Sequence, residues 1–186
     1  MTLTRRRRCD HPGMAAIRLI ATEDAPALAE LVQVNRAFLA PWDPLRPDEY
    51  FTVDGQQRAI EDALARYDEM STVPYVIVED GEIVGRVTLS NVVRGAFQSC
   101  NLGYWVGSAH TRRGLATTAV REIMAVAFLE VGLHRIEAGT LLHNVPSQRV
   151  LERNGFSRFG MAPKYLNIAG RWQDHVMYQA LNPNAR

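Results

Sequence analysis

Leu102-Gly103-Tyr104-Trp105-Val106-Gly107-Ser108-Ala109-His110-Thr111-Arg112-Arg113-Gly114-Leu115-Ala116-Thr117 is the stretch on which the fold turns. A strand-like segment runs into a short basic loop. The loop then enters a helical pattern that puts Leu115, Val120, Ile123, Met124, Ala127 and Phe128 inward until Gly132 ends it. Gly114 and Ala116, in the first turn, are small enough for a ligand to approach the backbone. The free N–H groups of a helix start and the positive end of its dipole make an anion site, to which Arg112 and Arg113 add charge. A pyrophosphate is the natural occupant. The stretch is neither a Walker loop nor a G-x-G-x-x-G dinucleotide turn, and by itself it also reads as an ordinary solvated connection.

Working outward, His134 to Leu141 reads as the strand that closes a β-α-β crossover. A helix follows, with Pro146 in its first turn after Asn144 and Gly155 at its stop. Phe156 to Ile168 and Arg171 to Leu181 flank a turn at Ala169-Gly170. Upstream, Tyr75 to Glu79 and Glu82 to Asn91 flank Asp80-Gly81, a strong hairpin signal. Arg94-Gly95 marks a turn before the strand from Gln98 to Gly107. Near the start, Ala16 to Ala21 is a strand, and Thr22 is the expected cap of a helix reaching about Arg36. Asp54 is the expected cap of a second helix with Ile60, Ala63, Leu64 and Tyr67 inward. Between these helices Pro41, Pro44 and Pro47 forbid a regular helix, while Phe38, Leu39 and Trp42 must pack on something. The order β-α-α-β-β-β-α-β-α-β-β predicts an α+β (α/β) fold: a mixed, mostly antiparallel central sheet with helices on both faces.

The 186 residues predict one domain over 14–186, preceded by a basic extension, 1–13, read as disordered. With 47% hydrophobic and 22% charged residues, the composition is that of a globular chain and excludes a disordered, collagen-like or disulfide-scaffold protein. No apolar run is long enough to span a bilayer. The net charge of +1 divides into +3 for residues 1–13 and −2 for the rest, so the body is not a basic nucleic-acid binder. The negative body suits cationic acceptors. Cys9 and Cys100 form no disulfide framework and no zinc spacing, which fits a reducing cytoplasm and no metal.

Arg113-Gly114-Leu115-Ala116-Thr117 resembles the acyl-coenzyme-A pyrophosphate loop of the GNAT acetyltransferases, whose pattern is Q/R-x-x-G-x-G/A, with Thr111 and Arg112 departing from it. Leu133-His134-Arg135-Ile136-Glu137-Ala138, His143-Asn144-Val145-Pro146-Ser147 and Val150-Leu151-Glu152-Arg153-Asn154-Gly155-Phe156 resemble the RimJ/RimL branch, which acetylates the N-terminal amines of ribosomal proteins. Tyr165-Leu166-Asn167, Gly170-Arg171-Trp172-Gln173-Asp174-His175 and the acceptor-side segment Phe38 to Pro44 extend the likeness, which covers about residues 15–181.

The resemblance implies a GNAT fold and a cytoplasmic N-acetyltransferase, monomer or homodimer, that moves an acetyl group from acetyl-CoA to a protein N-terminal α-amine. It implies a cofactor site at Tyr104, Trp105, Val106, Thr111, Arg112, Arg113, Gly114, Leu115, Ala116, Thr117, Asn144 and Ser147. Only one of Tyr104 and Trp105 is expected to face the ligand, because they alternate across a strand. Ser147 is the candidate donor to the departing thiolate. Some relatives carry a Tyr general acid one turn later, where this chain has Leu151. Some carry an acid where this chain has Lys164, which leaves Glu137 as the candidate base, with an ion pair to Arg135 as its competing reading. Trp42 and Asp43 are the candidate acceptor contacts, Asp43 for the acceptor ammonium. Trp172, Asp174 and His175 are expected to be structural. A small-molecule or antibiotic amine acetyltransferase, and a silent acyl-CoA-binding regulator, are the alternatives.

An α-amine with a pKa of about 8 is roughly one-tenth neutral at pH 7, whereas a lysine amine near 10.4 offers far less. An enzyme for α-amines therefore depends on positioning more than on a strong base.

Overall fold

Val76 and Ile77 are neighbours in the chain and both are fully buried, so the strand that carries them, β2 (Val73–Glu79), is covered on both faces. Val76 joins a cluster with Ile20, Leu28 and Ile60, while Ile77 joins one with Val87, Val120, Ile123 and Leu151. The computed structural model describes residues 16–184. The basic extension at 1–13 lies outside the described residues.

Seven strands form one sheet in the order β1-β2-β3-β4-β5-β7-β6. Besides β2 they are β1 (Ala16–Leu19), β3 (Glu82–Val93), β4 (Ser99–Val106), β5 (Arg135–Leu141), β6 (Ser157–Ile168) and β7 (Arg171–Leu181). Every neighbouring pair is antiparallel except β4 and β5. Helices α1 (Ala25–Val34) and α3 (Val53–Asp68) cover one face, joined by a short helix α2 (Arg36–Leu39) and a 3-10 turn at Asp48–Phe51. Helix α4 (Leu115–Ala125), prolonged by a π turn at Val126–Glu130, covers the other face, and α5 (Val145–Arg153) packs beside it. The predicted fold class is the one observed, and the element order matches it apart from the short helix α2.

The turns follow from backbone freedom. Asp80 and Gly81 have φ of 50° and 88°, and Ala169 and Gly170 have 51° and 77°; two positive values in a two-residue loop match the twist of a hairpin.

Two helix starts differ from expectation. Thr22 opens a 3-10 turn rather than capping α1; Asp24 instead accepts from the Ala21 N–H at 2.8 Å and is held by both Arg18 amines at 2.7 Å. At α3 the cap is Thr52, whose Oγ1 accepts from the Gly55 N–H at 3.1 Å, with Asp54 in the first turn. A Cβ on Gly55 would lie 1.9 Å from the Glu49 carbonyl oxygen, so only glycine lets α3 sit directly on the 48–51 turn. The buried Gln56 fixes that turn by donating to the Tyr50 carbonyl at 2.6 Å. A glycine thereby sets where Tyr50 and its neighbours stand.

Candidate active site

The parallel pairing of β4 with β5 runs only from Ser99–Arg135 to Asn101–Glu137. Beyond it, β4 stays bonded to β3 and β5 to β7, so the two strands part like the arms of a V. Their facing edges carry N–H and C=O groups that the sheet does not use, and such groups seek a partner. Gly103 and Gly139 are exposed on opposite arms, and nothing lies within 4 Å of where a Gly103 Cβ would be. An extended diamide chain fits between such edges.

At the mouth of the V stands Ser147, in the first turn of α5. Asn144 caps that helix, its Oδ1 accepting from the Ser147 N–H at 3.2 Å. The Tyr104 phenol donates to the Ser147 carbonyl at 3.1 Å and lies 2.9 Å from Ser147 Oγ, whose hydroxyl can donate to the phenol oxygen. Burial pushes the Tyr104 phenol up to about 12, against the lowering effect of the Ser147 bond. Tyr104 is therefore a lasting proton donor at neutral pH. Leu151, one turn beyond Ser147, is fully buried.

The anion site forms where β4 runs into α4. A 3-10 turn at Ser108–His110 leads to Arg112 with φ 62° and Gly114 with φ 81°, and the left-handed Gly114 caps α4. Thr111 Oγ1 donates to the Ser108 carbonyl at 3.0 Å, so this side chain shapes the loop. Buried Asn35 accepts from the Ser108 N–H at 2.7 Å and ties the loop to α1. Glu79, at the end of β2, holds Arg113 at 2.9 Å and stands 3.2 Å from His110 Nδ1. Of the two loop arginines, only Arg112 is thus left without a carboxylate among the described residues. Leu115 faces the core, Ala116 is half-buried, and the Thr117 carbonyl accepts from Asn154 at 3.2 Å, which ties α4 to α5. The N-terminal amides of α4 with Arg112 fit a pyrophosphate, and the V fits the arm beyond it.

A cavity of about 960 Å³ runs through the V to the α1–α3 face, and Tyr104, Trp105, Trp42, Asp43, Asn144 and Ser147 all line it. Tyr104 and Trp105 point to opposite faces of β4, yet both reach the cavity. The expectation that only one could do so fails because the parted strands open it to both faces. Trp42 stacks at a tilt on His143, with ring centroids 5.3 Å apart. The Asp43 carbonyl accepts from the Ala169 N–H at 3.0 Å, which fixes the proline-rich segment to the β6–β7 turn. The Asp43 carboxylate is engaged by Arg46, at 2.8 Å from Nε and 3.3 Å from Nη2.

Glu137 lies outside the cavity lining, on the last residue pair before the strands part, with Arg135 at 3.3 Å. This is the ion-paired reading, which competes with the expectation of a base, and it leaves Glu137 to reach an acceptor only through an intervening group. Val106 likewise lies at the end of β4 outside the lining. Lys164 is exposed, and its N–H donates to Asp174 at 2.8 Å. Burial raises the Cys100 thiol to about 12, which keeps it protonated and out of nucleophilic chemistry. Among the described residues no three His, Cys, Asp or Glu side chains are grouped to hold a metal.

Sequence reasoning missed several lining residues. His175 is buried, packs edge-on to Tyr165 and shares its Nδ1 proton with the Gln173 carbonyl at 2.9 Å, so it lines the cavity as well as bracing the sheet. Arg86, Thr88 and Ser90 form a polar stripe of period two on one face of β3. That stripe was a readable sign of a strand face turned toward a cavity.

Residues 16–157 match the acetyltransferase (GNAT) domain family, and the chain belongs to it. The chain is 37% identical over 170 residues to Probable N-acetyltransferase YjcK of Bacillus subtilis (strain 168), covering 90% of this chain and 94% of the relative. It is 34% identical to the [Ribosomal protein uS5]-alanine N-acetyltransferase of Escherichia coli (strain K12), covering 90% and 88%. The Mycobacterium smegmatis RimJ structure in complex with CoA-disulfide superposes with a TM-score of 0.88 at 33% identity, covering 91% of this chain and 82% of that one. The protein is an acetyl-CoA-dependent N-acetyltransferase.

Proposed function

We propose that this enzyme acetylates the N-terminal α-amine of a protein, of the ribosomal-protein kind, in the cytoplasm, with residues 14–186 acting as one catalytic domain. The observation that carries this reading is the cavity. At about 960 Å³ it stands at the top of the range for a small-ligand pocket, with room for a chain end beside the thioester arm. The 34% identity to a uS5-alanine acetyltransferase over 90% of this chain supports the same acceptor class.

The neutral amine nitrogen attacks the thioester carbonyl of acetyl-CoA; the C–N bond forms as the C–S bond breaks, the surplus proton of the nitrogen passes to water, and the coenzyme leaves as a thiolate. The α4 amides with Arg112 hold its pyrophosphate, and the free edges of β4 and β5 align its arm. The acceptor α-amine, near pKa 8, enters the V neutral without a strong base. Ser147 Oγ–H turns from the Tyr104 phenol to the leaving sulfur. Tyr104 then donates its own proton to Ser147 Oγ instead of to the Ser147 carbonyl. Because the phenol is held up to about 12, this donor pair stays loaded at every pH at which the amine reacts.

The test is to incubate pure protein with acetyl-CoA and short peptides bearing free N-termini, following thiol release and the mass of the product. The expected result is thiol release matched by one added acetyl group on the α-amine. Thiol at background with every peptide and with a ribosomal extract overturns the reading.

A further inference from the structure

The charge of the acceptor cavity is opposite to that of the chain body. Arg36, Arg46, Arg66 and Arg86 line it, with Asp43 as the carboxylate among the lining residues. Arg46 takes Asp43, and Arg36 takes Asp48 at 2.6 Å while lying over the Phe51 ring at 4.3 Å. Arg66 is an exposed side chain at the rim. Arg86 is different. It stands in the middle of β3, half-buried, with no hydrogen bond or ion pair to its side chain among the described residues. Burial lowers its pKa, and Arg46 lowers it further, while Tyr50 and Asp43 work in the other direction. A guanidinium carries five N–H donors in a rigid fork matched to a carboxylate, and leaving them unanswered in a part-buried site is costly.

We propose that Arg86 is the anchor of an acceptor subsite for a carboxylate carried close to the reacting amine, at the second or third residue of a peptide acceptor. Arg86 pairs in register with Trp105, the residue after Tyr104, so its strand position lies beside the part of the V where Ser147 stands. Its side chain shares a face with Thr88 and Ser90, the face covered by α1 and α3 and lined by Tyr50 and Asp43. A peptide gains about 3.3–3.6 Å per residue when extended, and Arg86 stands one strand pairing from Trp105 in the same cavity, so the residues next to the reacting amine are the ones expected to meet the guanidinium. Thr88 and Ser90 offer hydroxyls along the same stripe. This subsite rests on the proposal that the α-amine acceptor lies in this cavity.

The experiment uses the full chain and C-terminally amidated hexapeptides that differ only by Glu or Gln at position two or three. A dipeptide with a free or an amidated C-terminus distinguishes a side-chain carboxylate from the acceptor's own. In the wild type, KM for the Glu peptide is expected about tenfold below that of its Gln twin, as for a charge-assisted hydrogen bond. In Arg86→Gln the ratio collapses to within about twofold of one, and Arg86→Lys keeps only part of it because the fork is lost. A preference for the free over the amidated dipeptide, without a Glu preference, assigns the carboxylate to a small acceptor and overturns the peptide form of the proposal. Equal KM for Glu and Gln peptides in the wild type, or a ratio that survives in Arg86→Gln, overturns the subsite while leaving N-terminal acetylation standing. Where no peptide turns over, the function proposed above fails. The subsite is then read from binding of the same peptides to the CoA-loaded protein, where equal Kd values for Glu and Gln twins overturn it.

Discussion

On the α4–α5 side the cleft is walled by backbone and small residues; on the α1–α3 side it is walled by long side chains from separate elements. The first wall uses Gly103, Gly139 and the free edges of two parted strands, with Gly114 at the start of α4. The second uses Trp42, Asp43 and Arg46 from the proline-rich segment, Tyr50 from a 3-10 turn, and Arg86 from β3. A wall of main-chain groups serves any acyl-CoA in the same way, since main-chain geometry is set by the fold. A wall of side chains is specific to its acceptor and can change without changing the fold. The difference teaches where to look for activity and where to look for specificity, and it is open to direct attack.

The largest effect is expected at the junction of the two walls. Ser147→Ala is predicted to lower kcat about a hundredfold while weakening CoA affinity only a few-fold, the signature of a group used in the transition state. Steady-state kinetics beside calorimetric titration with CoA checks this, and equal losses in both would sink the thiolate role. Glu79→Gln removes the carboxylate that holds Arg113 and His110, and is predicted to cost about 1–3 kcal/mol of stability, read from denaturant unfolding. No change there would mean that Asn35 and Thr111 hold the loop without it.

Tyr104→Phe is predicted to lower kcat about fivefold, the value of one ordinary hydrogen bond. The wild-type kcat/KM should rise with pH until the acceptor amine is neutral and then stay level well past pH 10. The phenol, lying near 12, is protonated below that value, and its loss can only lower the rate as pH climbs through it. A falling limb near pH 9 would remove Tyr104 as the donor. The smallest effect is expected for Arg112→Gly. Removing one exposed charge should weaken CoA about threefold and make binding less sensitive to salt. Stability should hold or rise, since glycine accepts φ 62° without strain.

The backbone wall was the more legible of the two in the sequence. Gly114, Ala116, Asn144 and Ser147 fall in short contiguous motifs, and helix starts advertise themselves locally. The side-chain wall was legible only as Trp42 and Asp43. The role read for Asp43, holding an ammonium, meets a carboxylate that Arg46 has already engaged. Glu137 illustrates the same limit from the other side. Whether a strand carboxylate faces a cavity depends on the residue at which two strands separate, and that point is a property of the pair. The charge of −2 over the body did not reveal that Arg36, Arg46, Arg66 and Arg86 line the cavity, because a sum over the chain says nothing about which charges face it.

The sequence by itself determined the order of the main elements, the hairpin turns, the inward faces of the helices and the glycine-led start of α4. Each of these follows from periodicity or from the conformational freedom of a few adjacent residues. Only the tertiary structure decided where β4 and β5 part, that Tyr104 meets Ser147, that Glu79 claims Arg113, and that Arg86 lines the cavity with no hydrogen bond or ion pair to its side chain among the described residues. Those facts join residues tens of positions apart. Their energies lie in burial and in hydrogen-bond geometry that exist only once the sheet has closed around them.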